Sequence, residues 1–132
     1  MSHHSPPLTA AVYAKDAGRL AAFYAEAVGL DRIEHGAGFV LLASSGIELA
    51  IVQAPPAVAE AIVVAEPPVV REDTPVKLSF LVDDVEAVRP VVARLGGGLA
   101  APDAAWSWRR QLHLDGWDPE GNVFQLRQPQ SA

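Results

Sequence analysis

The strongest constraint in this sequence is that it repeats. An Asp that follows a run of apolar residues and opens an amphipathic stretch occurs twice, at Asp16 and at Asp84, an offset of 68 from 16 to 84. The same offset sets Val12 against Phe80, Ala14 against Val82, Leu20 against Val88 and Gly29 against Gly97. Self-similarity at one spacing means a structural unit used more than once. The fold must therefore accommodate two copies of one module.

Each copy reads as strand, helix and three short strands. In the first, Leu8 to Lys15 forms a strand, and the Asp16 carboxylate caps the helix after it. Leu20, Phe23, Tyr24, Ala27 and Val28 fall on one helical face, with Arg19 and Glu26 facing away. Gly29 ends the helix, and strands follow over 30–35, 38–44 and 47–53, with turns at Gly36-Ala37-Gly38 and Ser44-Ser45-Gly46. The second copy opens with Val76 to Val82. Asp83 and Asp84 offer its cap, and Val85, Val88, Val92 and Leu95 form the buried stripe. Pro90 removes a backbone bond inside that helix and should bend it, and Gly96-Gly97-Gly98 ends it. Strands are expected over 98–101, 108–115 and 122–127, the last after a turn at Asp118-Pro119-Glu120-Gly121-Asn122.

Residues 1–7, with His3 and His4, read as a tail, and 54–75 as a proline-rich connection. Within it Ala57 to Val64 suits either a short helix or, at its β-branched end, an edge strand. The fold class expected is α+β: two βαβββ modules, 8–53 and 76–128, within one domain over 8–128. Aligning Glu48 with Gln125, an offset of 77, gives the second module about nine extra residues, in the stretch carrying Trp106, Trp108 and Trp117.

Composition excludes several kinds of chemistry. With no cysteine among 132 residues there is no disulfide, thiolate nucleophile or Cys-type metal site. No apolar run approaches membrane-spanning length and the N-terminus lacks a signal-peptide layout, so a cytoplasmic location is the default expectation. The formal net charge of −6 and the absence of a basic stripe argue against nucleic acid as a partner. An acidic chain favours cationic ligands at long range, or is simply kept soluble by its charge.

The residues Val12 to Asp16 with Phe23-Tyr24 and Gly29-Leu30, then Phe80 to Val85, then Asp118-Pro119-Glu120-Gly121-Asn122, resemble the vicinal oxygen chelate superfamily. That superfamily includes glyoxalase I, the bleomycin-resistance proteins and the extradiol dioxygenases, and the resemblance spans about residues 8–128. It implies a curved, cleft-bearing mixed sheet, a ligand in the concave face, and a homodimer. It also implies metal ligands on the first and last strands of each module, which here are Thr9, Glu48, Lys77 and Gln125. Histidine is common in relatives where Thr9 and Lys77 stand. Lysine carries a positive charge and no free lone pair at neutral pH, so no metal and no cofactor is expected at these positions.

Two readings of Lys77 follow. Its ammonium takes the metal's place among Thr9, Glu48 and Gln125 and fixes a ligand carboxylate or carbonyl, or it points into solvent. His35 and His113 lack a partner at metal-ligand spacing, but alternation sets His113 beside Gln111 and Asp115 on one strand face, as a ligand contact or general base. Trp106 and Trp108 share a face if their segment is a strand, and Arg109 and Arg110 follow at once. With Phe39, Phe80 and Phe124 they suit a flat, partly apolar ligand, or else they fill the core or a dimer seam.

The function expected from these residues is a metal-independent small-molecule binder of the glyoxalase/bleomycin-resistance type, holding a partly aromatic or cationic ligand. Its binding residues would be Thr9, Glu48, Lys77, Trp106, Trp108, His113 and Gln125. The alternatives are a glyoxalase-like lyase or isomerase working through Glu48, Lys77 or His113, and an interaction domain with no small-molecule role.

Overall fold

A computed structural model describes residues 8–130, so the expected tail at 1–7 lies outside the described residues. The chain divides into two compact units, Met1–Val63 and Val64–Ala132, and each contains one sheet. The architecture is α+β, with the strands of each sheet running both parallel and antiparallel.

In the first unit, β1 (Thr9–Ala14) leads to α1 (Ala17–Ala27), and β2 (Asp31–Gly36), β3 (Phe39–Ser44) and β4 (Ile47–Gln53) follow. The order across the sheet is β1-β4-β3-β2, with β1 parallel to β4. Asp16 caps α1 by accepting from the Arg19 N–H at 3.1 Å. The apolar stripe of α1, Leu20, Phe23 and Tyr24, is buried together with Val40, Leu42, Leu49 and Ile51, the inward residues of β3 and β4. Gly29, at φ +74°, turns the chain out of the helix where a side chain would be strained. Of the two readings of the connection, the helix is found: α2 spans Pro56–Ala61 and stops where β-branched Ile62 turns extended. Lys15 Nζ donates to the Ala59 carbonyl at 2.6 Å, which satisfies one end of this short helix.

In the second unit, β5 (Leu78–Leu81) leads to α3 (Val85–Arg94), then β6 (Gly98–Leu99), a 3-10 turn (Pro102–Ala104), β7 (Trp106–Trp108), β8 (Gln111–Trp117) and β9 (Val123–Pro129). The order is β5-β9-β8-β6, with β7 also paired to β8. Asp84 caps α3 through the Glu86 and Ala87 N–H groups, and the helix continues through Pro90. The expected strand 108–115 is in fact two strands. A two-residue turn at Arg109-Arg110 separates them, both residues at positive φ (54° and 61°), the type I′ pattern.

The repeat is real in atomic detail, and its register corrects the alignment of the last strands. Gln53 Oε1 accepts from the first helical N–H of α1, Ala17, at 2.9 Å; Gln128 Oε1 accepts from that of α3, Val85, at 2.6 Å. The offset from 53 to 128 is 75, and the strand registers agree with it: Ala14 lies opposite Gln53, and Leu81 lies opposite Arg127, one residue before Gln128. Glu48 therefore corresponds to Val123 and not to Gln125. Gln125 lies opposite Ser79.

The extra length of module two is seven residues (75 against 68), shared between the loop that joins β6 to β7 and a longer β7–β8 hairpin. Trp108 sits in the hairpin part of this extra length, between Trp106 and its partner His113. Trp106 pairs with His113 as Gly36 pairs with Phe39.

The final turn is built on one side chain. Asp118 is fully buried, and its Oδ1 accepts from the Glu120 and Asn122 N–H groups and from Asn122 Nδ2, which also reaches Oδ2 at 2.9 Å. Gly121 holds φ +86°, and a Cβ there would stand 2.1 Å from the Val69 carbonyl oxygen. The connection runs directly over this glycine, with the Arg71 N–H donating to its carbonyl.

Candidate functional site

The second sheet has two faces of opposite character, set by strand alternation. Phe80, Leu114, Phe124 and Leu126 are buried on one, with Val85 and Val92 of α3. Phe80 and Phe124 meet edge to face at 6.2 Å. They are core residues. The other face carries Ser79, Gln111, His113, Asp115, Gln125 and Arg127, and β7 adds Trp106 and Trp108.

Both tryptophans are exposed, Trp106 at 39% and Trp108 at 61%, so neither fills the core. His113 lies beside them on β8, only 3% exposed, stacked on Trp106 at 5.4 Å with the rings 16° apart and tilted to Trp108 at 5.8 Å. Its Nε2 is 3.2 Å from the Trp108 carbonyl oxygen. A carbonyl only accepts, so in the neutral ring Nε2 carries the hydrogen and Nδ1 is a bare acceptor. That Nδ1 is buried and has no partner.

An open cleft of about 480 Å³ lies on this face, lined by Ser79, Trp108, Arg109, Gln111, His113, Gln125 and Arg127. Arg109 places its guanidinium 5.4 Å from the Trp108 ring centre, and Arg127 Nε donates to Ser79 Oγ at 3.2 Å. The cleft thus brings together Trp108, His113 and Gln125 of the residues expected from sequence. Arg109, Arg127 and Ser79 were not expected. Alternation sets Arg127 on the same face as Gln125, but only the register of β8 on β9 brings it opposite His113.

Lys77 sits elsewhere on the same sheet. Its Nζ is 2.9 Å from Asp115 Oδ2, both side chains about one-third exposed, so its partner is a carboxylate that the sequence pattern did not assign to it. The pair borders a smaller cavity of about 250 Å³ with Glu72, Trp117 and Val123, and Asp115 Oδ1 is buried there without a partner. On the first sheet Thr9 lies opposite Glu48 in register, and its Oγ1 donates to Glu48 Oε1 at 3.3 Å, with Glu48 5% exposed. His35 is exposed on β2.

The metal positions implied by resemblance can be tested against this chemistry. One sheet offers a hydroxyl and a carboxylate already bonded to each other. The other offers an ammonium paired with Asp115 and the amide of Gln125, which lies opposite Ser79. A divalent ion needs lone-pair donors, and a set with a cationic ammonium at one of its four positions and a single anionic group does not fit one. Among the described residues no group of three or more His, Asp or Glu is placed to hold a metal ion. No helix among them is long and apolar enough to cross a membrane.

Two βαβββ modules, each with a capped helix over a mixed sheet and one with an aromatic-walled cleft, define the class. The chain belongs to the glyoxalase-like domain family, whose model matches residues 9–127. Among solved structures it is similar to a glyoxalase/bleomycin resistance protein/dioxygenase family enzyme from Burkholderia phytofirmans PsJN. The identity is 23%, covering 91% of this chain and 95% of that one, with a TM-score of 0.65. It is also similar to a mutant of the fosfomycin resistance protein FosX from Listeria monocytogenes, complexed with Mn(II) and 1S,2S-dihydroxypropylphosphonic acid (14%, 98% and 91% covered, TM-score 0.64). FosX from Mesorhizobium loti is a third (13%, 97% and 92%, TM-score 0.61). At these identities the likeness establishes the fold. No curated protein matches the chain.

Proposed function

We propose that this protein binds a small molecule without a metal, in the manner of the bleomycin-resistance type, and holds a flat, partly aromatic ligand in the cleft beside Trp108. The observation that carries this reading is Nδ1 of His113, a buried acceptor with no partner on a residue that lines an aromatic-walled cleft. A buried polar atom left unpaired is costly, and a ligand hydroxyl or N–H would satisfy it. The exposed tryptophan gives such a ligand a flat apolar wall. The Lys77 ammonium in the set Thr9, Glu48, Lys77 and Gln125 supports metal independence, although the Listeria FosX relative was complexed with Mn(II).

Two measurements test the reading. Elemental analysis of purified protein should find zinc, nickel, manganese and iron all well below one per chain; a stoichiometric ion abolished by Glu48→Gln would overturn it. A screen of aromatic compounds by calorimetry should give binders whose affinity falls about tenfold in His113→Phe, the loss of one hydrogen bond to a buried group. Binders indifferent to that change would place the ligand elsewhere.

The same bare Nδ1 supports a second reading, turnover, because it is the form of histidine that takes up a proton. Loss of a bound compound's C–H signals by exchange in D2O, absent in His113→Phe, would favour it.

A further inference from the structure

The charge lining this cleft is opposite in sign to that of the chain. Acidic residues outnumber basic ones 16 to 10, yet the lining includes two arginines and no carboxylate. Among the described residues neither Arg109 nor Arg127 has an acidic partner, whereas Lys77 is paired with Asp115 and Arg89 with Glu86. A guanidinium presents five N–H donors in a planar fork. Arg127 commits Nε to Ser79 Oγ, and Arg109 rests on the Trp108 ring, an arrangement that orients the group without neutralising it.

Arg109 is moreover held at φ 54°, in a turn where glycine or asparagine is the ordinary choice. Non-glycine residues in such conformations concentrate at sites where the side chain is needed.

We propose, resting on the binding function above, that the cleft selects a planar organic carboxylate that also carries a hydroxyl or N–H donor. The carboxylate meets the forks of Arg127 and Arg109 by charge-assisted hydrogen bonds. The ring lies against Trp108, and the donor completes His113 Nδ1. The two guanidiniums repel a cation, so this proposal departs from the cationic ligand expected from the net charge.

Four probes separate the parts of this proposal: salicylate, benzoate, salicylamide and benzyltrimethylammonium, each titrated calorimetrically into the wild-type protein. Salicylate should bind tightest, benzoate about tenfold more weakly for want of the hydroxyl, and the cation not measurably. Arg127→Gln should reduce salicylate affinity at least tenfold more than it reduces that of salicylamide. Arg127→Lys, which keeps the charge but loses the fork, should fall between. Salicylamide or the cation binding as tightly as salicylate would overturn the anion selectivity and leave the binding function standing. Failure of all four to bind would overturn the carboxylate proposal, while the screen of aromatic compounds decides the binding function separately.

Discussion

At the scale of single residues, two side chains in the second unit show how local rules are kept or broken. Asp118 keeps them: a buried carboxylate saturated by three donors of its own turn, which ties the last two strands together. Asp118→Ala removes the acceptor and leaves two backbone N–H groups unpaired, so unfolding in urea should lose about 3 kcal/mol of stability. Arg110 breaks them. At φ 61° it occupies the second position of a type I′ turn, where a Cβ costs roughly 1–2 kcal/mol. Glycine there carries its own entropic cost, so Arg110→Gly should stabilise the protein by only about 0.5–1 kcal/mol, read as a rise in melting temperature. If it destabilises instead, Arg110 makes an interaction that outweighs the strain.

At the scale of elements, the legible part of the fold is what local chemistry specifies. The Asp caps, the helical stripe of α1 and the Gly turns have short-range causes, so the first unit follows its sequence almost residue for residue. The last strands have no such marker. Pairing Glu48 with Gln125 by chemical kind sets them two residues out of register, whereas Gln53 with Gln128 sets them right. Those glutamines reach across to the helix start, a contact separated by 36 residues in one module and 43 in the other. The site suffered for the same reason. Alternation within β8 was enough to set His113 beside Gln111, but Arg127 entered only through pairing between strands. The glutamine contact gives a matched pair of predictions. Gln128→Leu and Gln53→Leu each strand a helix N-terminal N–H, and each should cost about 1–2 kcal/mol in urea unfolding. Gln53 also donates to the Lys15 carbonyl at 2.6 Å, so its replacement should cost more. Equal losses would mean that this second bond contributes nothing.

At the scale of the whole molecule, the acidic chain and the basic cleft set long-range repulsion against short-range attraction for any anionic ligand. Six negative charges acting from about 20 Å in water repel a monoanion by roughly 1 kcal/mol before screening. A single guanidinium at about 4 Å attracts it by a similar amount in water and by about 4 kcal/mol at the effective dielectric of a protein surface. The short-range term wins, and the two respond differently to salt. The Debye length falls from about 30 Å at 0.01 M to about 8 Å at 0.15 M, which removes most of the distant repulsion while touching a pair in contact much less. Salicylate affinity should therefore change less than about threefold over that range of sodium chloride, because screened repulsion offsets weakened attraction. A fall of tenfold or more would mean that the carboxylate sits on solvent-exposed charge at the hairpin tip. It would then lie outside the cleft where His113 waits for a donor.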